Sequence, residues 1–266
     1  MGNEVRYERM RPRQVVAARQ ACPVAYLPVG TIEWHGRHLP LGADVVLSHA
    51  LAVRCAQAGG GVVFPSLAYG ESRLEGLMEA CAADREQIAA EMQLPPANFT
   101  QARFRFTPHE QFENYQRLLL HCLCELQSLG FRLAVFVAGH YPLIDHARAA
   151  ASLFHQMRWD NKRGLMLTWA FTGHELVEDR FPMGGHHAGF WETSMCLALE
   201  PALVDLAELP TDPAVKPVGV MSPEPTRDAS AEFGEKAVAL MVERAVAQVH
   251  DRLANPQAYY AHGLRL

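Results

Sequence analysis

Four runs, PVAYLPV (23–29), GVVFPSL (61–67), RLAVFVA (132–138) and GLMLTWAF (164–171), are apolar almost without interruption and are punctuated by Gly or Pro. A strand with one face in water alternates apolar and polar residues; a strand covered on both faces does not. These four therefore predict buried strands. Helical periodicity fills the chain between and after them. Residues 45–58 are a long Ala/Leu/Val stretch, and in 110–129 the residues Phe112, Tyr115, Leu119, Leu123 and Leu126 recur at spacings of three and four before Gly130. Residues 143–158, 190–200 and 229–252 also read as helices. Strands alternating with helices predict an α/β fold with a mostly parallel sheet and helices on both faces.

A chain of 266 residues can bury a large core, and no linker or repeat divides it, so a single domain over 1–266 is expected. Residues 201–228, rich in proline and acid, predict a long surface excursion. Residues 72–106, polar and irregular around Pro95-Pro96, predict either a cover over a site or an exposed insertion. With a net charge of −5 and no Lys/Arg cluster, no nucleic-acid surface is expected. Apolar windows are broken by charge or proline before 18 residues, so no membrane span is expected. Arg6, Arg9, Arg11 and Arg13 flank no apolar core of signal length, and a cytoplasmic protein is expected. Cys22, Cys55, Cys81, Cys122, Cys124 and Cys196 form no CxxC pair and read as reduced packing residues. Metal candidates are then His, Asp and Glu.

They concentrate in GTIEWHGRHLPLGADVV (30–46), which starts where the first strand ends. In an extended segment Glu33 and His35 point the same way, and Pro40 and Gly42 can fold Asp44 back toward them. Gly139-His140 starts where the 132–138 strand ends. Ligands of parallel sheets bind beyond the carboxyl ends of strands, so Glu33, His35, Asp44 and His140 are expected at one edge. GGHHAGFWETS (184–194) adds His186, His187 and, if a helix begins near Gly189, Glu192 in its first turn. Mixed imidazole and carboxylate donors suit Zn²⁺, Mn²⁺ or Fe²⁺. Two ions sharing a water would supply hydroxide near neutrality and polarise a carbonyl, while a histidine outside the pair protonates a leaving nitrogen. Against this stands the ordinary role of a histidine as a hydrogen-bonded core or surface residue. That role is assigned to His49, His109, His121, His146, His155, His174, His250 and His262. His38 reads equally as a partner that orients a ligand.

PVGTIEWHGRHLPLGAD resembles the opening motif of the creatininase family, Glu-x-His-Gly-x-His-Leu-Pro-Leu-x-x-Asp. AGHY is similar to that family's Asn-Gly-His motif, HAGFWETS to its His-Ala-Gly-x-x-Glu-Thr-Ser, and YGES (69–72) to a Tyr-Gly-x-Ser motif. The matches run in family order from about residue 23 to 200. The resemblance implies a three-layer α/β/α fold, two divalent ions per chain (Zn²⁺ and/or Mn²⁺, with Fe²⁺ a third candidate) and C–N hydrolysis, often in a homo-oligomer that is a hexamer. It implies Asp44 as the bridge between the ions, with Glu33, His35, His140 and Glu192 as further ligands. His187 is implied as the catalytic proton carrier, and Ser72 and Tyr141 as substrate contacts.

The chain also departs from the pattern. Ala138 stands where the family has Asn. Creatinine-hydrolysing members follow His-Tyr with a glutamate that can hold an exchangeable metal; Pro142 stands there. Their Trp-Asp, a lid and a substrate acceptor, corresponds to Met183-Gly184. The expected activity is thus metal-dependent hydrolysis of a small cyclic amide or formamide-like molecule through a metal-bound hydroxide, creatinine itself being disfavoured. Peptide trimming and non-catalytic metal binding are the competing readings. Trp169 and Trp191 are expected in the core or, less favoured, in a pocket wall.

Overall fold

The computed structural model describes residues 4–70, 81–103, 106–156 and 166–260. Its centre is a parallel sheet of four strands: β1 (Val24–Val29), β2 (Val62–Val63), β3 (Leu133–Ala138) and β4 (Leu167–Thr172). They lie in the order β2-β1-β3-β4. Every strand residue is buried, as the uninterrupted apolar runs require. The second strand is shorter than its run. Pro65 has no N–H to give a ladder, and pairing resumes only at a bridge between Val29 and Leu67.

Alternate residues feed two cores. Val24, Tyr26, Val135, Val137, Trp169 and Phe171 face one side. There they meet α2 (Ala43–Gly59), α6 (Phe190–Leu199) and α7 (Ala231–Ala254). Ala25, Leu27, Val29, Phe136 and Ala170 face the other side, against α4 (Pro108–Ser128) and α5 (Leu143–Gln156). Two helical layers around one sheet give the three-layer α/β/α architecture. A short helix unmarked by the sequence pattern, α1 (Pro12–Ala21), precedes β1 and has no buried residue. Among the described residues no helix is long and apolar enough to cross a membrane.

Within 81–103, α3 (Arg85–Glu91) and neighbouring turns build a third, small core. Ile88, Ala89, Phe99 and Cys81 pack there on Trp34 and Val218. This segment flanks the 30–46 motif, and none of its residues lines the pocket described below. Much of 201–228 is exposed, as expected, but the stretch 218–220 turns inward. Trp34 Nε1 donates to Val218 O at 2.9 Å, Gly219 N to Asp84 Oδ2 at 2.8 Å, and Met221 N to His187 O at 2.9 Å.

The strand order changes direction between β1 and β3, since β2 lies to one side of β1 and β3 to the other. That switch point opens a crevice at the carboxyl ends of β1 and β3. The loops carrying Glu33, His35 and His140 leave the sheet there.

Candidate metal centre

Beyond β1 the chain runs without regular secondary structure through Glu33 and His35, then turns at Gly36, whose φ is +71°. Glu33 N donates to Leu41 O at 3.0 Å, which closes the loop and delivers Asp44 to the first turn of α2. The loop from β3 passes so close to α2 that a Cβ on Gly139 would stand 2.0 Å from Asp44 O. His140 follows at once. Glu192 lies in the first turn of α6, its carboxylate taking a hydrogen bond from Ala188 N. Ala188 itself holds φ +55°, an uncommon conformation for a residue with a Cβ.

These local choices gather Glu33, His35, Asp44, His140 and Glu192, all at most 6% exposed, in one place. Asp44 is central. Its Oδ1 lies 3.2 Å from His35 Nε2, and its Oδ2 lies 3.2 Å from His140 Nδ1. His35 Nε2 is also 3.7 Å from Glu192 Oε2. His140 Nδ1 is also 2.9 Å from Glu33 Oε1. Two donor groups with metal-holding spacing result, His35/Asp44/Glu192 and Glu33/Asp44/His140, joined by the two oxygens of one carboxylate. A third group of such spacing, Glu33/His35/His187, brings in the remaining histidine.

The electrostatics are those of a cation site. Burial opposes charge on His35, but Asp44, Glu192 and Glu33 outweigh it and lift its pKa to about 10. Burial pushes Glu192 up to about 7, with the neighbouring carboxylates of Asp44 and Glu33 adding to the rise. Burial acts the same way on Asp44, yet His35 and His140 hold it far below the usual carboxylate range. Glu33 Oε2 is buried without a hydrogen-bond partner. A carboxylate oxygen so placed is costly in a protein interior unless something positive meets it. The donor set, three carboxylates and two imidazoles around an orphaned oxygen, fits hard-to-borderline divalent ions.

His187 packs on His35 with ring centroids 4.4 Å apart. Its Nε2 donates to Trp34 O at 2.6 Å, so Nδ1 carries the lone pair, and that atom lies 3.6 Å from Glu33 Oε1. Burial, and then the charge of His35, lower its pKa and keep the ring neutral. His38 is buried behind the cluster, bonded to Thr193 Oγ1 at 3.0 Å next to Glu192, and burial takes its pKa down to about 4.

The cluster floors a pocket of about 290 Å³ whose walls include Tyr141, Pro142, Gly185, His186 and Met221. Behind Tyr141 a smaller apolar cavity of about 60 Å³ is closed by Trp191, His174, Met195 and Met241. Trp191 is a core residue that also lines this inner cavity. Trp169 is a core residue, stacked on Phe171 at 4.6 Å and covered by the Arg252 guanidinium at 4.5 Å. Ser72 lies outside the described residues. Met221 was not legible as a site residue, because loop backbone contacts, not a pattern, bring it to the pocket. His186 stood out only as a neighbour of His187.

Comparison with known proteins agrees with this picture. The family model described as creatinine amidohydrolase matches residues 8–78 and 74–249. A creatinine amidohydrolase of Pseudomonas putida is 27% identical over 246 residues, covering 83% of this chain and 86% of that protein. A creatininase structure in a manganese form has a TM-score of 0.69 at 23% identity, covering 96% of this chain and 100% of the other. A mutant creatininase of Zn–Zn type gives 0.69 at 23% identity, covering 96% and 99%. With the family model spanning most of its length and the same three-layer fold beneath it, the chain belongs to the creatininase family of metal-dependent amidohydrolases.

Proposed function

We propose that this chain hydrolyses the C–N bond of a small cyclic amide or formamide-like substrate. Glu33, His35, Asp44, His140 and Glu192 would hold two divalent ions, Zn²⁺ or Mn²⁺ by analogy with the relatives. The observation that carries the reading is Asp44, whose two oxygens face two different donor groups 3.2 Å away on each side. Such ions, when bound, would acidify a water and polarise the scissile carbonyl.

The chain's own side chains do the rest. Trp34 O fixes the His187 tautomer, so Nδ1 is the atom that takes a proton from water and returns it to the departing nitrogen. The water oxygen bonds to the carbonyl carbon, the C–N bond breaks and its electron pair stays on nitrogen. Tyr141, on the wall of the pocket, orients the substrate. A volume of about 290 Å³ suits a small ring and leaves little space for a long peptide. We further propose a cytosolic homo-oligomer, in keeping with six free cysteines and the family likeness.

Metal analysis of purified protein tests the reading directly. About two ions per chain are expected for the wild type, with His35→Ala and Asp44→Asn losing both metal and activity. His187→Ala is expected to keep its metal and lose about 10²–10⁴ in turnover. A His187→Ala protein emptied of metal would reassign that histidine to the ligand set. Two retained ions with no turnover on lactams, hydantoin-like rings, formamides or short peptides would favour a non-catalytic metal protein.

A further inference from the structure

The pocket floor is rich in acid, but the described part of its walls is not. Every carboxylate among the described lining residues, Glu33, Asp44 and Glu192, belongs to the donor cluster. Among the described residues the walls contribute no Asp, Glu, Asn, Gln, Lys or Arg. Their polar side chains beyond His140 and His187 are Tyr141 and His186, and between them lie Pro142, Gly185 and the thioether of Met221.

Both polar groups are suited to donate. The Tyr141 phenol lines the pocket and carries an O–H that can donate. The His186 imidazole makes no hydrogen bond or ion pair with any described residue, so its N–H is available to a ligand. An amidine or guanidine group asks for two acceptors, preferably carboxylate. A lone imidazole between proline and methionine does not supply them.

We propose that His186 and Tyr141 select a ring bearing a second carbonyl oxygen, as in a cyclic imide or cyclic ureide, over a ring bearing an imino or guanidino group. This rests on the amidohydrolase reading of the site. Water adds to one ring carbonyl, the C–N bond to the ring nitrogen opens, and that nitrogen leaves with the proton as part of a carboxamide or urea. The product is an open-chain carboxylate ending in that group. The second carbonyl oxygen does not react; it accepts hydrogen bonds from the wall. Pro142 and Met221 give the uncharged ring an apolar surface to lie on.

A matched pair of rings tests this. Creatinine and 1-methylhydantoin differ by an imino group in place of a carbonyl, and 2-pyrrolidinone lacks the second polar group. Rates are measured on manganese-loaded protein, and binding of each ring by calorimetry. The wild type is expected to favour 1-methylhydantoin over creatinine by about 10-fold or more in kcat/KM, because a site built for one hydrogen-bond pattern rejects the other. His186→Leu, with metal content unchanged, is expected to erase about 10-fold for 1-methylhydantoin through KM while sparing 2-pyrrolidinone. His186→Asp is expected to shift preference toward creatinine. Equal or better use of creatinine by the wild type, or an unchanged ratio in His186→Leu, overturns the inference and leaves the amidohydrolase reading intact. If no ring is turned over, calorimetry decides. Preferential binding of 1-methylhydantoin then sustains the selectivity and sinks the proposed reaction, while equal or absent binding overturns the selectivity too.

Discussion

Gly139 carries no side chain because the site leaves no room for one. A Cβ there would meet the Asp44 carbonyl oxygen at 2.0 Å, a backbone atom that cannot step aside without moving the first turn of α2. Gly139→Ala is therefore expected to cost about 2–3 kcal/mol by overpacking. It should also lower metal content, since it displaces the residue shared by both donor groups; melting temperature and metal analysis check the two effects together. At this scale the motif residues were readable in advance, because a strand end followed by Glu-x-His has only one sheet edge to reach. Met221 was not. It enters the pocket through a backbone hydrogen bond to His187 O, and no spacing in the sequence encodes that partner.

Elements were legible where burial is two-sided and the apolar run is long. β1, β3 and β4 appear within a few residues of their runs, whereas β2 is cut to Val62–Val63 by the proline that follows. α1 escaped notice because it buries none of its residues and so has no apolar stripe to betray it. The packing of α7 on α6 offers a test with a built-in control. Ser230 caps α7 by accepting from Phe233 N at 3.2 Å, and Ser230→Ala is expected to cost about 1 kcal/mol with metal binding unchanged. Gly234, one turn further on, lies where a Cβ would stand 2.0 Å from Ser194 O on α6. Gly234→Ala is expected to cost about 1–3 kcal/mol and to loosen the metal as well, because α6 carries Glu192. Denaturant melts paired with metal titrations separate a helix end from a helix that holds the site.

Across the whole molecule, stability is coupled to ligation and to protons. Three buried carboxylates converge on the centre, so ions that bind only the folded chain stabilise it. Chelation at neutral pH is expected to lower the melting temperature by several degrees, and re-addition of Mn²⁺ or Zn²⁺ to restore it. His155, bonded to Thr168 Oγ1 at 2.9 Å, has its pKa lowered by burial from 6.5 to about 4. Above pH 6.5 it is neutral in both states. As pH falls below 6.5 the unfolded chain takes up its proton while the folded chain resists until about 4, so stability declines over that window. The contribution is on the order of 1–2 kcal/mol after solvent screening. His155→Gln is expected to flatten the fall in melting temperature between those limits.

The hydrogen bond from Met221 N to His187 O ties the rim of the pocket to the residue proposed to carry the proton. Widening the cavity by letting out the 218–222 turn would drag the imidazole off its mark, so natural variation has little freedom on that side. New substrates are more easily acquired by changing Pro142, Gly185 or His186, whose backbones make no such hydrogen bond to a described residue. Divergence among kindred enzymes should accordingly be concentrated at those three positions.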